Sequence, residues 1–267
     1  MAAQGTRPAM RHIPRKRFGQ NFLTDEVAIA AIVDIIAPQP RDRVVEIGPG
    51  LGALTRPLAA HLDHLNVIEI DRDIIARLRT EFPAARVTVH EGDALEFDFS
   101  ALGARLRAVG NLPYNISTPL LFHLAQHAGA IRDIHVMLQK EVVERMVSEP
   151  SCAEYGRLSV MLQYRFEMER VLDVPPDAFH PVPKVESAVV RMTPFARLPH
   201  PARDEATLRK IVAAAFSQRR KTLRNALSAY FKAEDFERLG VDAGLRAQDL
   251  RIEDFVRLAD DAASSAR

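Results

Sequence analysis

Short runs of aliphatic and β-branched residues alternate with helix-like apolar spacing from residue 43 to residue 147. The apolar runs, which predict strands, lie at residues 44–47, 65–70, 87–90, 106–110 and 134–138. The stretches with apolar residues three and four apart, which predict helices, lie at residues 51–61, 73–81, 118–127 and 141–147. This alternation predicts an α/β fold, with a parallel sheet and helices on both of its faces.

The pattern changes beyond residue 150. Residues 155–166 predict a helix that runs into a strand, and residues 187–192 predict another strand, so we expect an antiparallel pair at one edge of the sheet. Pro194 and the prolines within residues 199–201 mark a hinge, and the pattern from Asp204 onward is helical only. We therefore expect a basic N-terminal arm over residues 1–24, an α/β domain over 25–196 and a small all-helical domain over 197–267.

Composition narrows the class of protein. The chain has 267 residues, 47% of them hydrophobic and 27% charged, which is enough apolar material for a full core and a small second domain. No apolar stretch reaches the roughly 20 residues of a membrane span, and no apolar run follows the basic N-terminus as in a secretory signal. We expect a cytoplasmic protein. The single Cys152 excludes an internal disulfide and a cysteine-based zinc cluster, and the histidines lack metal-ligand spacing, so we expect no metal.

The net charge of +1 conceals two basic blocks. Residues 1–24 hold five Lys and Arg residues and no acid, and residues 206–233 hold seven, again with no acid. Within the second block we expect RNA phosphate to be contacted by Arg219, Arg220, Lys221 and Arg224. A solvated helix face and an unstructured tail are the alternative interpretation of such runs.

An apolar strand runs directly into a glycine turn at residues 44–52, VVEIGPGLG. Glycines such as Gly48 let the backbone approach a ligand closely, and the next helix offers free N–H groups. Glu69 follows about 20 residues later, where an acid can accept both hydroxyls of a ribose. These features fit a dinucleotide equally well. Asp93, after the third strand, favours S-adenosylmethionine, because its carboxylate can accept a hydrogen bond from the adenine amine; a turn or helix-cap role is the alternative.

The tetrapeptide at residues 111–114, NLPY, follows the fourth strand at the edge where open α/β sheets bind ligands. An adenine amine is a poor nucleophile because its lone pair is delocalised into the ring. The Asn111 side-chain oxygen and the Leu112 carbonyl can each accept one amine hydrogen, and Pro113 holds Leu112 extended. The Tyr114 ring can stack on the extruded base. An ordinary turn is the alternative.

We expect a second aromatic ring to hold the base, from the proline-rich loop that precedes the last strand of the sheet. Phe179 begins this loop and is interpreted either as a second aromatic clamp for the base or as a core anchor.

With these motifs assembled, the chain resembles the KsgA/RsmA family of small-subunit (16S) ribosomal RNA adenine dimethyltransferases nearly from end to end. The residues that carry the resemblance are 16–23 (KRFGQNFL), 46–52 (EIGPGLG), 111–117 (NLPYNIS), 179–187 (FHPVPKVES) and 219–225 (RRKTLRN). The resemblance implies a Rossmann-like class I methyltransferase sheet over residues 25–196 and an RNA-binding role for the helical domain. The cofactor site that it implies is lined by Asn21, Leu23, Gly48, Glu69, Asp93 and Asn111.

The resemblance also implies the substrate: two adjacent adenines in the 3′-terminal hairpin loop of 16S ribosomal RNA, each methylated twice. We expect a monomer that acts on the 30S subunit or its precursor. The alternatives are an erythromycin-resistance-type methyltransferase of 23S ribosomal RNA, a noncatalytic nucleic-acid-binding relative and a nicotinamide-dependent oxidoreductase. Gly19 and the basic helix at residues 219–225 favour the small-subunit enzyme, and the set of Glu69, Asp93 and Asn111 favours catalysis.

Overall fold

The computed structural model describes residues 21–218 and 220–265. The strands are β1 Phe22–Leu23, β2 Val44–Ile47, β3 Leu65–Glu69, β4 Val87–Glu91, β5 Leu106–Asn111, β6 Ile131–Gln139, β7 Phe166–Val174, β8 Phe179–His180 and β9 Ser187–Pro194. The helices are α1 Glu26–Ile36, α2 Thr55–His61, α3 Arg72–Glu81, α4 Ser117–Gln126, α5 Lys140–Val147, α6 Arg157–Gln163, α7 Glu205–Ala215, α8 Leu223–Ala226, α9 Ala233–Leu239 and α10 Ile252–Ser265. Residues 1–20 of the expected basic arm lie outside the described residues.

Seven strands form one sheet in the order β4-β3-β2-β5-β6-β9-β7. The five strands from β2 to β6 are parallel, whereas β9 runs antiparallel to both of its neighbours. This arrangement confirms the predicted α/β fold and the antiparallel pair at the edge. A separate two-stranded sheet joins β1 to β8.

Several boundaries differ from those predicted. The helix expected from residue 51 begins at Thr55, because residues 51–54 continue the glycine turn and Gly52 has a φ of +84°. β6 begins three residues earlier than expected, at Ile131, and β7 extends through Val174.

The two faces of the sheet pack against separate apolar clusters. Neighbouring strand residues point to opposite faces, so Val44 belongs to one cluster and Val45 to the other. The first face is covered by α1, α2 and α3, and the second by α4, α5 and α6. The result is a three-layer domain in which the carboxyl ends of the parallel strands share one edge.

A buried ion network lies at the other ends of the strands. Arg107 is 5% exposed and donates to the carboxylates of Asp42 and Asp133 at 2.7 and 2.9 Å. It also donates to the Ile36 carbonyl at 2.6 Å. Although burial opposes ionisation, the His135 ring 3.4 Å away and the hydrogen bonds from Arg107 hold the pKa of Asp133 below its usual value. The arginine thereby fastens the end of α1 to β5 and β6.

The helices after residue 204 form a third apolar cluster. This cluster is not confined to those helices, because Tyr155, Val160 and Tyr164 pack into it from around α6. A β-bridge between Thr222 and Arg246 ties the start of α8 to the loop after α9. No helix in the described part of the chain is long and apolar enough to cross a membrane.

Candidate active site

A cavity of about 310 Å³ opens at the carboxyl ends of β2, β3, β4 and β5. Its volume falls at the lower end of the range for small-molecule sites. The cavity brings together nine of the ten residues predicted for cofactor binding and catalysis: Asn21, Leu23, Gly48, Glu69, Asp93, Asn111, Leu112, Pro113 and Tyr114. The tenth, Phe179, does not line it.

Two glycines allow backbone segments to approach closely around the cavity. Gly50 has a φ of +53°, and a Cβ there would lie 3.1 Å from the Phe22 ring. Gly110, just before the tetrapeptide, faces β2 so closely that a Cβ would lie 2.5 Å from the Ile47 carbonyl oxygen. The turn is braced by Arg56, which donates to the carbonyls of Leu51 and Gly52 at 2.8 and 3.1 Å. Sequence reasoning missed Phe22, Arg56 and Gly110.

The Glu69 carboxylate lies on the cavity wall and is 7% exposed. Its Oε1 accepts hydrogen bonds from the backbone N–H groups of Ile70 and Asp71, both at 2.9 Å. Burial raises the pKa of Glu69 above its usual value, and these bonds together with one from the Gly50 backbone oppose the increase. The carboxylate is thereby held at the end of β3 with acceptor capacity left for a ligand.

Glu46 is a second acid in the cavity wall that the sequence did not single out. It lies within β2, is 2% exposed and accepts a 2.7 Å hydrogen bond from the Thr55 hydroxyl. Burial raises the pKa of Glu46 to about 7, and the nearby charge of Glu69 adds to the increase. An acid inside an apolar strand is the sequence signal that marks it.

Asp93 follows β4 and is half-buried in the cavity wall. Its Oδ1 accepts a hydrogen bond from the Leu95 backbone N–H at 2.9 Å. One carboxylate oxygen thus holds the turn while the second remains available as an acceptor. The turn interpretation and the ligand interpretation of this residue are therefore compatible.

Asn111 ends β5, and its side-chain orientation is set by a single contact. Its Nδ2 donates to the Asn21 backbone carbonyl at 3.1 Å. A carbonyl can only accept, so the nitrogen must face Asn21 and the Oδ1 atom must face away from it. The next residue, Leu112, is fixed through its N–H, which donates to the Met137 carbonyl at 3.1 Å. The tetrapeptide is therefore held both by the residue that precedes β1 and by β6.

Tyr114 contributes a half-buried ring to the cavity wall. Its hydroxyl shares a 2.6 Å hydrogen bond with the hydroxyl of Ser187, the fully buried first residue of β9. Burial raises the pKa of Tyr114, and the Ser187 contact opposes that increase. The phenol is therefore neutral at physiological pH and its ring is pinned at the far end.

Phe179 lies in the core and not on the cavity wall. Its side chain is 2% exposed and packs in the cluster beneath α1, and its backbone pairs with Leu23 between β8 and β1. The position corresponds to the core anchor, one of the two roles considered for this residue, because a ring with so little exposed surface offers no face to a base. Through β8 it instead holds the strand that carries Leu23.

The described residues among those predicted to contact RNA do not line this cavity. Arg219 falls outside the described residues. Arg220 and Lys221 are exposed and lie in a turn, because the helix expected over residues 219–225 begins only at Leu223, and it carries the exposed Arg224. The bridge between Thr222 and Arg246 brings another exposed arginine beside them, which sequence spacing could not reveal. Within the described residues, no acidic side chain forms an ion pair with Arg220, Lys221, Arg224 or Arg246. They leave a basic surface on the helical part.

The cavity offers carboxylate and amide acceptors around apolar walls, and no metal-ligating cluster occurs within residues 21–218 and 220–265. Such a set is suited to hold a polar nucleoside-like molecule at Glu69 and Asp93. It places an amide acceptor at Asn111 and an aromatic ring at Tyr114 beside that molecule. The chemistry favoured by these groups is positioning of an amine and not proton abstraction by a strong base.

Comparison with known proteins agrees with a site that positions an amine beside a nucleoside-like molecule. The family model described as ribosomal RNA adenine dimethylase matches residues 11–264. The ribosomal RNA small subunit methyltransferase A of Chromobacterium violaceum is 64% identical over 93% of this chain and 95% of that protein. The protein of the same name from Thiobacillus denitrificans is 64% identical over 91% of this chain and 96% of its own length.

Two solved structures share the fold. A dimethyladenosine transferase from Plasmodium falciparum superposes with a TM-score of 0.75 at 25% identity, covering 88% of this chain and 95% of that one. The 23S rRNA methyltransferase ErmE superposes with a TM-score of 0.70 at 27% identity, covering 91% and 100%. The family model matches the residues that line the cavity as well as the helices that follow them. The chain therefore belongs to the ribosomal RNA adenine dimethylases and is a methyltransferase.

Proposed function

We propose that this protein uses S-adenosylmethionine to dimethylate the exocyclic amines of two adjacent adenines in the 3′-terminal hairpin loop of 16S ribosomal RNA. The observation that carries the proposal is the orientation of Asn111. Its amide nitrogen is occupied by the Asn21 carbonyl, which turns its oxygen into an acceptor for an amine. The names of the relatives at 64% identity support the small ribosomal subunit as the source of the RNA.

The residues of the cavity fit S-adenosylmethionine. The buried Glu69 carboxylate would hold the ribose hydroxyls, and the second oxygen of Asp93 would accept from the adenine amine. The turn with Gly48 would let the backbone approach the cofactor, while Asn21 and Leu23 would cover it from β1. When bound, S-adenosylmethionine supplies a methyl group activated by the sulfonium charge.

The protein's part in methyl transfer is to prepare the target nitrogen. The Asn111 oxygen and the Leu112 carbonyl each accept one amine hydrogen, and this favours a pyramidal nitrogen whose lone pair is no longer delocalised into the ring. Pro113 keeps Leu112 extended so that both acceptors face the same point. Neither acceptor is a strong base, so the amine proton leaves for solvent after transfer. Positioning and dipoles provide the rate enhancement.

The target base is held by stacking. The Tyr114 ring offers a face fixed by its bond to Ser187, and stacking of this kind contributes about 1–3 kcal/mol per base. The clamp role considered for Phe179 would require its ring to leave the core, so we assign stacking to Tyr114 and an anchoring role to Phe179.

The all-helical part over residues 197–267 is proposed as the RNA-docking domain, joined to a methyltransferase domain over residues 25–196. Arg220, Lys221 and Arg224 would contact phosphate, with Arg219 and the N-terminal arm as further cationic groups. RNA helices expose mainly backbone and shape, so this contact would carry little sequence information. We propose that the protein acts as a cytoplasmic monomer on the 30S subunit or its precursor.

Methylation of large-subunit RNA is the alternative, supported by the shared fold with ErmE. The identity to ErmE is 27%, against 64% to the small-subunit relatives, and this difference favours the small subunit. A noncatalytic RNA-binding role is disfavoured because Glu69, Asp93 and Asn111 all line one cavity.

Mass spectrometry of ribosomal RNA from a strain that lacks the gene tests the proposal. We expect both dimethyladenines to be absent from 16S RNA, to return with the wild-type gene and to remain absent with Asn111→Ala. Loss of a modification from 23S RNA would instead establish the large-subunit alternative. Unchanged 16S RNA would refute the proposed function.

A further inference from the structure

The segment that we call the rim loop, residues 181–186, borders the active-site cavity. It is attached at both ends to the cavity wall. His180, just before it, pairs with Phe22, and Ser187, just after it, is bonded to the Tyr114 hydroxyl. Phe22 and Tyr114 both line the cavity. The loop therefore lies along the mouth, between the strand β1 and the ring proposed to stack on the target base.

The rim loop is anchored but exposes apolar side chains. Its last residue, Glu186, is held by Lys140: the Lys140 backbone N–H donates to the Glu186 carbonyl at 3.0 Å, and its Nζ donates to the carboxylate at 2.8 Å. Val182 is nevertheless 62% exposed and Val185 44%. Six large apolar side chains are exposed among the described residues, and two of them belong to this loop of six residues. Exposed apolar groups beside a site indicate a contact surface.

A base that enters the cavity remains covalently linked to the nucleotides on either side, so those nucleotides must lie at the mouth. Extrusion of one base also unstacks its neighbours and exposes their apolar faces. Lys184 lies between the two valines and is exposed, which supplies a cation for the intervening phosphate. Two branched apolar side chains that flank a cation are complementary to an unpaired nucleotide, which has an apolar base face and a charged phosphate.

We infer that the rim loop binds the nucleotide adjacent to the target adenine, with Val182 and Val185 against its base and Lys184 near its phosphate. This inference rests on the proposed function, because it takes RNA as the substrate. It assigns to the loop a role in substrate binding that is separate from the cofactor site, since none of residues 181–186 lines the cavity.

The test is methyl transfer to 30S particles that lack the modification, with the double variant Val182→Ser, Val185→Ser. The matched control is Val27→Ser, another exposed valine, at 78%, on the first turn of α1. We expect kcat/KM for the particles to fall about tenfold, because the variant loses part of the burial of two apolar side chains. Most of this change should be an increase in KM. Affinity for S-adenosylmethionine, measured by calorimetry, should equal that of wild type, and the control should behave as wild type.

Wild-type kcat/KM in the double variant would overturn the inference and leave the proposed function intact, whereas absence of transfer by the wild-type protein would overturn both. A benzophenone crosslinker in the variant Val182→p-benzoylphenylalanine provides an independent measurement that does not depend on the stability of the double variant. Crosslinking to 16S RNA beside the target adenine supports the inference. Crosslinking only to a ribosomal protein, or only to a second copy of this chain, refutes it.

Discussion

Replacing Glu46 by Gln should make the free energy of unfolding less dependent on pH. The Glu46 carboxyl is buried within β2, where its pKa is raised to about 7 from an ordinary value of 4.5. Gln has the shape of the protonated acid, and its side-chain oxygen can still accept from the Thr55 hydroxyl. The substitution therefore mimics the neutral form and removes the ionisation.

The direction follows from which state holds the proton. Between about pH 4.5 and pH 7 the folded protein keeps Glu46 protonated, whereas the unfolded chain releases the proton. The folded state binds more protons, so the wild-type free energy of unfolding falls as pH rises through this window. A pKa difference of about 2.5 corresponds to about 3 kcal/mol. Glu69, whose pKa is also raised, acts in the same direction but is present in both proteins.

Urea denaturation followed by circular dichroism, at intervals from pH 4.5 to pH 8 and without added ligand, measures the effect. The stability of Glu46→Gln relative to wild type should increase by about 3 kcal/mol across this range. The surface variant Glu141→Gln controls for the change in net charge. A constant difference between Glu46→Gln and wild type would refute the reasoning, since it would mean that burial does not perturb this acid.

Three further predictions concern the proposed catalysis and RNA binding. Asn111→Ala should lower the rate of methyl transfer roughly 10²–10³-fold, the loss typical of removing one preorganised hydrogen-bonding group. Cofactor affinity, measured by calorimetry, should change little. Equal losses of rate and of cofactor affinity would make Asn111 a cofactor residue. Tyr114→Ala should lose base stacking, whereas Tyr114→Phe should retain most activity in the same assay; an inactive Phe variant would indicate hydroxyl chemistry. Joint replacement of Arg219, Arg220 and Lys221 by Ala should weaken 30S binding without altering cofactor affinity. The slope of the logarithm of the binding constant against the logarithm of salt concentration should become shallower by about 0.9 per lost phosphate contact, the value for a double helix. Wild-type affinity and an unchanged salt dependence would mean that these charges are solvated and do not contact RNA.

The sequence predicted the central strands well because their apolar runs are bounded by sharp signals. Residues 44–47 were predicted with their observed limits, since Arg43 precedes the run and a glycine turn follows it. The extent of β7 was harder to recognise. It alternates charged residues such as Glu167 and Glu169 with apolar ones, as befits an edge strand, so the predicted element, residues 155–166, includes only its first residue, Phe166. β1 and β8 have two residues each, too few for any period.

The active-site residues that follow strands could be predicted from sequence, because parallel strands end at a common edge. The residues that hold them could not. The carbonyl of Asn21 reaches Asn111 across 90 positions of sequence, and Ser187 reaches Tyr114 across 73. Such contacts depend on the register of β1 and β9, which local pattern does not encode. The resemblance supplied Asn21 as a site residue but not its contact with Asn111.

The third apolar cluster has a consequence for how the molecule can be divided. Tyr155, Val160 and Tyr164 belong to the first 196 residues of the chain, yet they pack among the helices after residue 204. A fragment that ends at the hinge, residues 194–201, would expose these three side chains to water. The helices after the hinge would in turn lose part of their apolar cluster. The fragment should therefore aggregate or bind hydrophobic dyes even though its sheet is intact. The helices after residue 204 thus share their apolar cluster with residues around α6 and depend on them for its completion.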